Sequence, residues 1–203
     1  YSEVKGRELY FVNEGLKVPK YGQAELVEAE TSFTAYQEFQ SMLTRDRIDI
    51  FMVGEFDDYQ VLQALHRFPL EGRQVDLQFS YSQPYVNVVK EKIEPRQSSQ
   101  SILQLGYQFP CQYGDKDYFA LIVFNAMFGE FAHSALFTTL REKEGLAYSI
   151  SSQFDIFTGL LEVYAGIEKS NKNQTMRGIS RELNYIKLGR FSSSLLNQTK
   201  KII

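Results

Sequence analysis

The sequence has no tryptophan, a single cysteine and only two histidines among its 203 residues. Each scarcity removes a class of function. With Cys111 alone, no internal disulfide can close and no cysteine-based zinc site can be built. Such thiol usage fits a reducing compartment, and a cytoplasmic setting is expected. His66 runs into Arg67, Phe68 and Pro69, and His133 into Ser134, Ala135 and Leu136, so neither begins an H-E-x-x-H or H-x-x-E-H pattern. A catalytic zinc takes three protein ligands, so this chain is expected to hold no metal and no other cofactor of its own. No G-x-S-x-G elbow is present, and no catalytic histidine can be assigned to Cys111. The stretch "GEFDDY" lacks the glycine spacing of a phosphate loop and carries carboxylates where phosphate would be repelled. No apolar run approaches the ~20 residues that span a bilayer. The longest, "YFALIVFNAMF" from Tyr118 to Phe128, reads as a buried helix. A net charge of −3 and a pI near 5.5 give no electrostatic footprint for nucleic acid or an anionic membrane. No signal-peptide pattern opens the chain, and its start at Tyr1 and its end within "NQTKKII" suggest a piece of a longer polypeptide.

What remains is ordinary globular composition, 43% hydrophobic and 23% charged. "TSFTAYQEFQSML" sets Phe33, Tyr36, Phe39 and Met42 at roughly helical spacing behind Thr31 as a cap. "IDIFMVGEF" (Ile48 to Phe56) is a short apolar run stopped by Gly54 and reads as a buried strand. Asp57 or Asp58 caps the helix after it, with Val61, Leu62, Leu65 and Phe68 on one face. From Pro69 to Tyr85 the pattern turns polar and aperiodic, as in a linker. "VNVVKEKI" reads as a strand, and "SILQLGYQF" alternates with a period of two. Asp115 or Asp117 starts the apolar helix that runs to Gly129. Leu136, Phe137 and Leu140 form a helical stripe with Ser134 as its cap and Gly145 as its stop. "LAYSISSQF" and "GLLEVYAGI" form a hairpin through Gly159, and helices return in "NQTMRGISRELNYIKLG" and "SSSLLNQTKKII". Separate runs of strands and helices predict an α+β fold, an antiparallel sheet with helices on one face.

Two side chains carry a chemical suggestion. Arg141 falls in the last turn of the "SALFTTLREKEG" helix and Tyr148 on the strand that follows. A guanidinium is a fixed fork of donors able to hold a peptide carbonyl, and a phenol can donate to an oxyanion. Both also have plain explanations. An Arg at a helix C-terminus complements the dipole, and Tyr148 shares its strand face with Leu146 and Ile150, as a core tyrosine would.

The stretch "SALFTTLREKEGLAYSISS" resembles the second-domain signature of the pitrilysin–insulinase–mitochondrial processing peptidase family, the M16-type inverted zincins. "MVGEFD", "SSQSILQLGYQFP", "YFALIVFNAMFG" and "LGRFSSSLLNQTKKII" resemble further family segments, so the likeness covers most of the chain from about Tyr21. In "FGEFAHSALF", Glu130 and Ala135 depart from the family's usual glycines and Arg. The resemblance implies two similar α+β domains facing each other, in one chain or across a homo- or heterodimer. Zinc and its H-x-x-E-H helix would then sit on the partner domain or subunit. Arg141 would hold a carbonyl of the peptide substrate, and Tyr148 would stabilise the oxyanion. It also implies a division into residues 1–70 as the end of a first peptidase-like domain, 71–86 as linker, and 87–203 as a second domain truncated at its C-terminus. Two functions stay open: the substrate-binding half of a zinc metalloendopeptidase, or an inactive relative acting as a peptide-binding or assembly scaffold. A generic α+β binding module is a third.

Overall fold

The computed structural model describes residues 1–12, 14–19, 21–68, 88–111 and 113–203. In chain order the elements are α1 (Ser2–Tyr10), α2 (Glu14–Lys17), α3 (Ala24–Ala29), α4 (Ser32–Arg45), α5 (Asp58–Leu65), β1 (Ser101–Gln108) and α6 (Tyr118–Asn125). Two π-helical segments, Ala126–Glu130 and Phe137–Lys143, follow, then β2 (Ala147–Asp155), β3 (Leu160–Ile167), a 3₁₀ turn at Lys169–Asn171, α7 (Lys172–Lys187) and α8 (Ser193–Ile202). The chain divides into two compact units, Tyr1–Pro19 with Tyr81–Ile203, and Lys20–Ser80. The expected linker, 71–86, lies outside the described residues.

In the unit formed by Lys20–Ser80, local chemistry behaves as the sequence suggests. Thr31 and Thr34 cap α4 reciprocally, and Asp57 Oδ1 accepts from the Tyr59 and Gln60 amides at 2.8 and 3.2 Å to start α5. The longer-range expectations fail. Ile48–Phe56 forms no strand, and Phe51 and Val53 are fully open to solvent. A strand needs a ladder partner for its amides, and among the described residues of this unit none lies beside it. The apolar positions Phe33, Tyr36, Phe39 and Met42 of α4 are likewise exposed, and only Leu43 is buried. In the other unit, Val88–Ile93 forms no strand either, while Val86 and Asn87 fall outside the described residues.

The sheet-bearing unit holds a three-stranded antiparallel sheet in the order β1–β3–β2, the α+β class that the periodicity predicts. β3 is the central strand. Its Leu161, Val163, Ala165 and Ile167 share one face, opposite Leu103, Leu105 and Tyr107 of β1 and Ile150, Ser152 and Phe154 of β2. That face packs on Met127, Phe128, Leu136, Leu140 and Ile179 in one core. Each fully buried aliphatic side chain there contributes about 1.5–3 kcal/mol. The other face is not bare. The rings and helix of α1 lie over β1, and a Cβ on Gly106 would stand 2.7 Å from the Tyr10 ring. Ser2–Tyr10, which carries no clear periodicity, therefore folds as a helix against the sheet.

The apolar helix from Tyr118 runs past Asn125 by widening to a π-helical turn as far as Glu130. Its glycine sits against β2: a Cβ on Gly129 would lie 2.6 Å from Ser152 Oγ, 2.8 Å from the Ser152 amide nitrogen and 2.9 Å from a Leu136 methyl. Ser152 in turn donates to Asn125 Oδ1 at 2.8 Å, and Asn125 donates to Glu130 at 2.9 Å. The helix thus approaches the sheet backbone closely because one residue has no side chain. Gly129→Ala is expected to cost about 1–3 kcal/mol, the usual scale of overpacking, because the Ser152 backbone is held in its ladder with β3 and cannot yield. Urea unfolding midpoints of the two proteins check this.

Candidate functional site

The Arg141–Tyr148 junction is built by three local departures from regular structure. The first is the π-helical segment Phe137–Lys143, entered from buried Ser134, whose Oγ accepts from the Phe137 amide at 3.4 Å. The second is Gly145, which takes φ +62° and so ends the helix in a conformation that costs glycine nothing. There the Leu146 amide returns to the Leu140 carbonyl at 2.8 Å, satisfying an acceptor at the helix end. The third is a β-bulge. Ala147 pairs with Ile167 and Ser149 with Gly166, which leaves Tyr148 as the extra residue.

The bulge corrects the simple face assignment. Strict alternation puts Tyr148 with Leu146 and Ile150, but one inserted residue shifts the phase. Ala147 and Ile150 are both buried, while Tyr148 is 50% exposed. Its hydroxyl donates to Glu168 Oε1 at 2.8 Å, just beyond the end of β3. That bond, then burial and the Glu168 charge, holds the Tyr148 phenol above its ordinary value of 10.0. Arg141 is also exposed, and its guanidinium lies 4.5 Å from the centre of the Phe137 ring, one turn back. No hydrogen bond joins Arg141 to Tyr148; each has its own tether. Beside them a groove of about 470 Å³ is lined by Glu144, Leu146, Gln174, Arg177, Gly178 and Arg181, and neither Arg141 nor Tyr148 enters its wall.

Sequence reasoning missed Glu168 and the α7 groove residues. Glu168 could have been found from the hairpin register, since it follows the strand residue opposite the bulge. Gln174, Arg177, Gly178 and Arg181 stand at i, i+3, i+4 and i+7, one stripe of a helix.

Among the described residues no side-chain set fits a zinc ion. His133 shares its Nε2 with Thr199 Oγ1 at 2.9 Å and stacks on Phe131. His66 is the exposed C-cap of α5, in the other unit. Among the described residues no group of three or more His, Cys, Asp and Glu could hold a metal. The Cys111 thiol is pushed up by burial and by Asp115 and Asp117, which disfavours a nucleophilic thiolate. No helix among the described residues is long and apolar enough to cross a membrane.

Known proteins share this architecture. A family described as "Peptidase M16 inactive domain" matches residues 35–203. The "Probable inactive metalloprotease YmfF" of Bacillus subtilis (strain 168) is 36% identical over 183 residues, 90% of this chain and 43% of the relative. The "Uncharacterized zinc protease YmxG" of the same organism is 25% identical over 194 residues, 93% of this chain and 46% of that protein. The crystal structure of a conserved protein from Enterococcus faecalis V583 superposes with a TM-score of 0.89 at 38% identity, covering 100% of this chain and 48% of that one. A protease from Helicobacter pylori, at 20% identity and a TM-score of 0.66 over 98% of this chain and 53% of that one, shares the fold. The chain thus spans about half the length of the relatives it matches. With more than half of its residues within the family match, and the Arg–Tyr junction inside that range, the chain belongs to the peptidase M16 inactive domain family.

Proposed function

We propose that this chain is the inactive, zinc-free portion of an M16-type protein, and that it binds peptide backbone at Arg141 and Tyr148 while facing a second M16-type domain. The observation that carries the reading is the bond from Tyr148 to Glu168. A phenol has one proton to give, and here a carboxylate takes it. An oxyanion donor must aim that proton at developing charge, and a neighbouring anion opposes negative charge at the same place. The phenol oxygen remains free to accept from a peptide amide, and the Arg141 fork, held over Phe137, remains free to donate to a peptide carbonyl. Acceptor and donor together suit an extended chain that is held rather than cut. The name of the Bacillus relative as a probable inactive metalloprotease supports the same side.

A second reading keeps one observation in its favour. Both Arg141 and Tyr148 are presented to solvent, as the substrate-clamping half of an active peptidase would require, with zinc supplied by a partner domain. The two readings separate in the full-length protein mixed with zinc and fluorescein-labelled unstructured peptides. Binding without cleavage, with Tyr148→Phe weakening it only a few-fold, is the expected result. Zinc-dependent hydrolysis whose kcat falls one to three orders of magnitude in Tyr148→Phe establishes the second reading instead.

The tether itself has a pH signature. A folded-state phenol held above its unfolded value contributes stability below pH ~10 that disappears as pH rises through the raised value. Glu168→Gln keeps an acceptor but removes the charge, so the Tyr148 titration, followed by ¹³Cζ NMR of labelled tyrosine, should move down toward 10.0. An unmoved midpoint contradicts the tether.

A further inference from the structure

The groove beside the Arg–Tyr junction has no part in the reading above, yet its chemistry is defined. Its floor is the α7 backbone at Gly178, close over buried Leu140, whose methyl would stand 2.3 Å from a Cβ at that position. A side chain on residue 178 would collide with that buried leucine and lift α7 away from it. Leu146 supplies an apolar flank, and Gln174, Arg177 and Arg181 line the α7 side.

The two arginines differ in what they already hold. Arg181 Nη2 donates to Glu144 at 2.6 Å and its Nε to buried Glu182 at 3.0 Å, so this guanidinium is fixed between two carboxylates. Arg177, one turn earlier on the same stripe, makes no hydrogen bond or ion pair among the described residues. Like charges at i and i+4 destabilise a helix by about 0.2–0.5 kcal/mol, so Arg177 is not there to stabilise α7. Arg181 is already neutralised by Glu144 and Glu182, so Arg177 is the one unpaired charge that the described residues bring to the groove lining. That balance suits a monoanion and opposes a phosphate dianion, which Glu144 would repel. A guanidinium also matches a carboxylate bidentately, and the Gln174 amide adds a donor at the same wall.

We infer that this groove is a carboxylate-binding subsite, in which Arg177 receives an acidic group of the peptide held at the adjoining junction. The assignment rests on the peptide-binding reading and names the class of peptide: one bearing an acidic side chain, or a free C-terminal carboxylate, near the segment held by Arg141 and Tyr148. Glu144 and Leu146 belong to the turn between those two residues, so groove and junction share one piece of chain.

The test uses the full-length protein and three fluorescein-labelled peptides of otherwise identical sequence: C-terminally amidated with Gln, amidated with Glu in place of that Gln, and the Gln peptide with a free carboxylate. Affinities come from anisotropy at two salt concentrations. One of the two acidic forms should bind about two- to fivefold tighter than the neutral one, the scale of an exposed ion pair, and which form does so identifies the source of the carboxylate. The preference should shrink at high salt and disappear in Arg177→Ala, leaving affinity for the neutral peptide unchanged, with Arg177→Lys retaining part of it. Arg177 is exposed, so neither substitution threatens the fold. Equal binding of all three peptides by the wild-type protein, or a preference that survives Arg177→Ala, overturns the subsite while leaving peptide binding at the junction intact. No binding of any peptide overturns both.

Discussion

The antiparallel pairing of β3 with a strand on each side is the constraint on which the rest of the sheet-bearing unit depends. Because side chains alternate along a strand, fixing β3's register decides at once which residues of β1 and β2 enter the core. Leu161, Val163 and Ala165 become wholly buried, and the helices that cover them must approach closely. Gly129 above Ser152 and Gly178 above Leu140 are the two places where that approach leaves no room for a methyl group. The same register determines where the pairing fails. β2 carries one residue more than its partner, and the surplus is expelled at Tyr148. Exposure of the phenol is thus a consequence of how the core is filled.

This links the packing to the junction. A π-helical end, a left-handed glycine and a bulge follow one another within the dozen residues from Phe137 to Tyr148. π-Helical turns and bulges are poorer hydrogen-bonding arrangements than the regular structures they interrupt, and they recur at functional sites. Here they turn a helix end and a strand start outward together. Arg141 lies on the Phe137 ring and Tyr148 on Glu168, so each is restrained by a neighbour from its own side of the turn. Restraint before binding reduces the rotamer entropy that a ligand must otherwise cost.

The strands of the sheet were legible in the sequence because each is long, alternating and bounded by glycine or proline. β1, β2 and β3 appear within a residue or two of the runs beginning at Ser101, Leu146 and Gly159. Caps at Thr31 and Asp57 were equally legible, being contacts over three residues. Ile48–Phe56 misled because an apolar run specifies burial only if something is there to pair with it. α1 stayed hidden for the opposite reason: "SEVKGRELY" has little helical amphipathicity, and its place is set by the sheet against which Gly6 and Tyr10 rest. At the junction, residue types were readable but orientation was not. Period-two reasoning has no means of seeing a bulge, and it sent Tyr148 inward. The motif resemblance singled out Arg141 and Tyr148 while saying nothing of Glu168, whose carboxylate changes what the phenol can do.

That last point separates descent from chemistry. An Arg and a Tyr at the family's spacing establish kinship, but a side chain acts through the proton it has available, and availability is decided by neighbours outside the motif. With Glu168 in reach, the tyrosine is an acceptor toward incoming amides, and it becomes a donor toward an anion only if the carboxylate is drawn away or protonated. A cation placed against that carboxylate would do the former, since Glu168 is itself exposed. The chemistry open to Tyr148 therefore turns on the charge set opposite Glu168, a residue that the motif does not include.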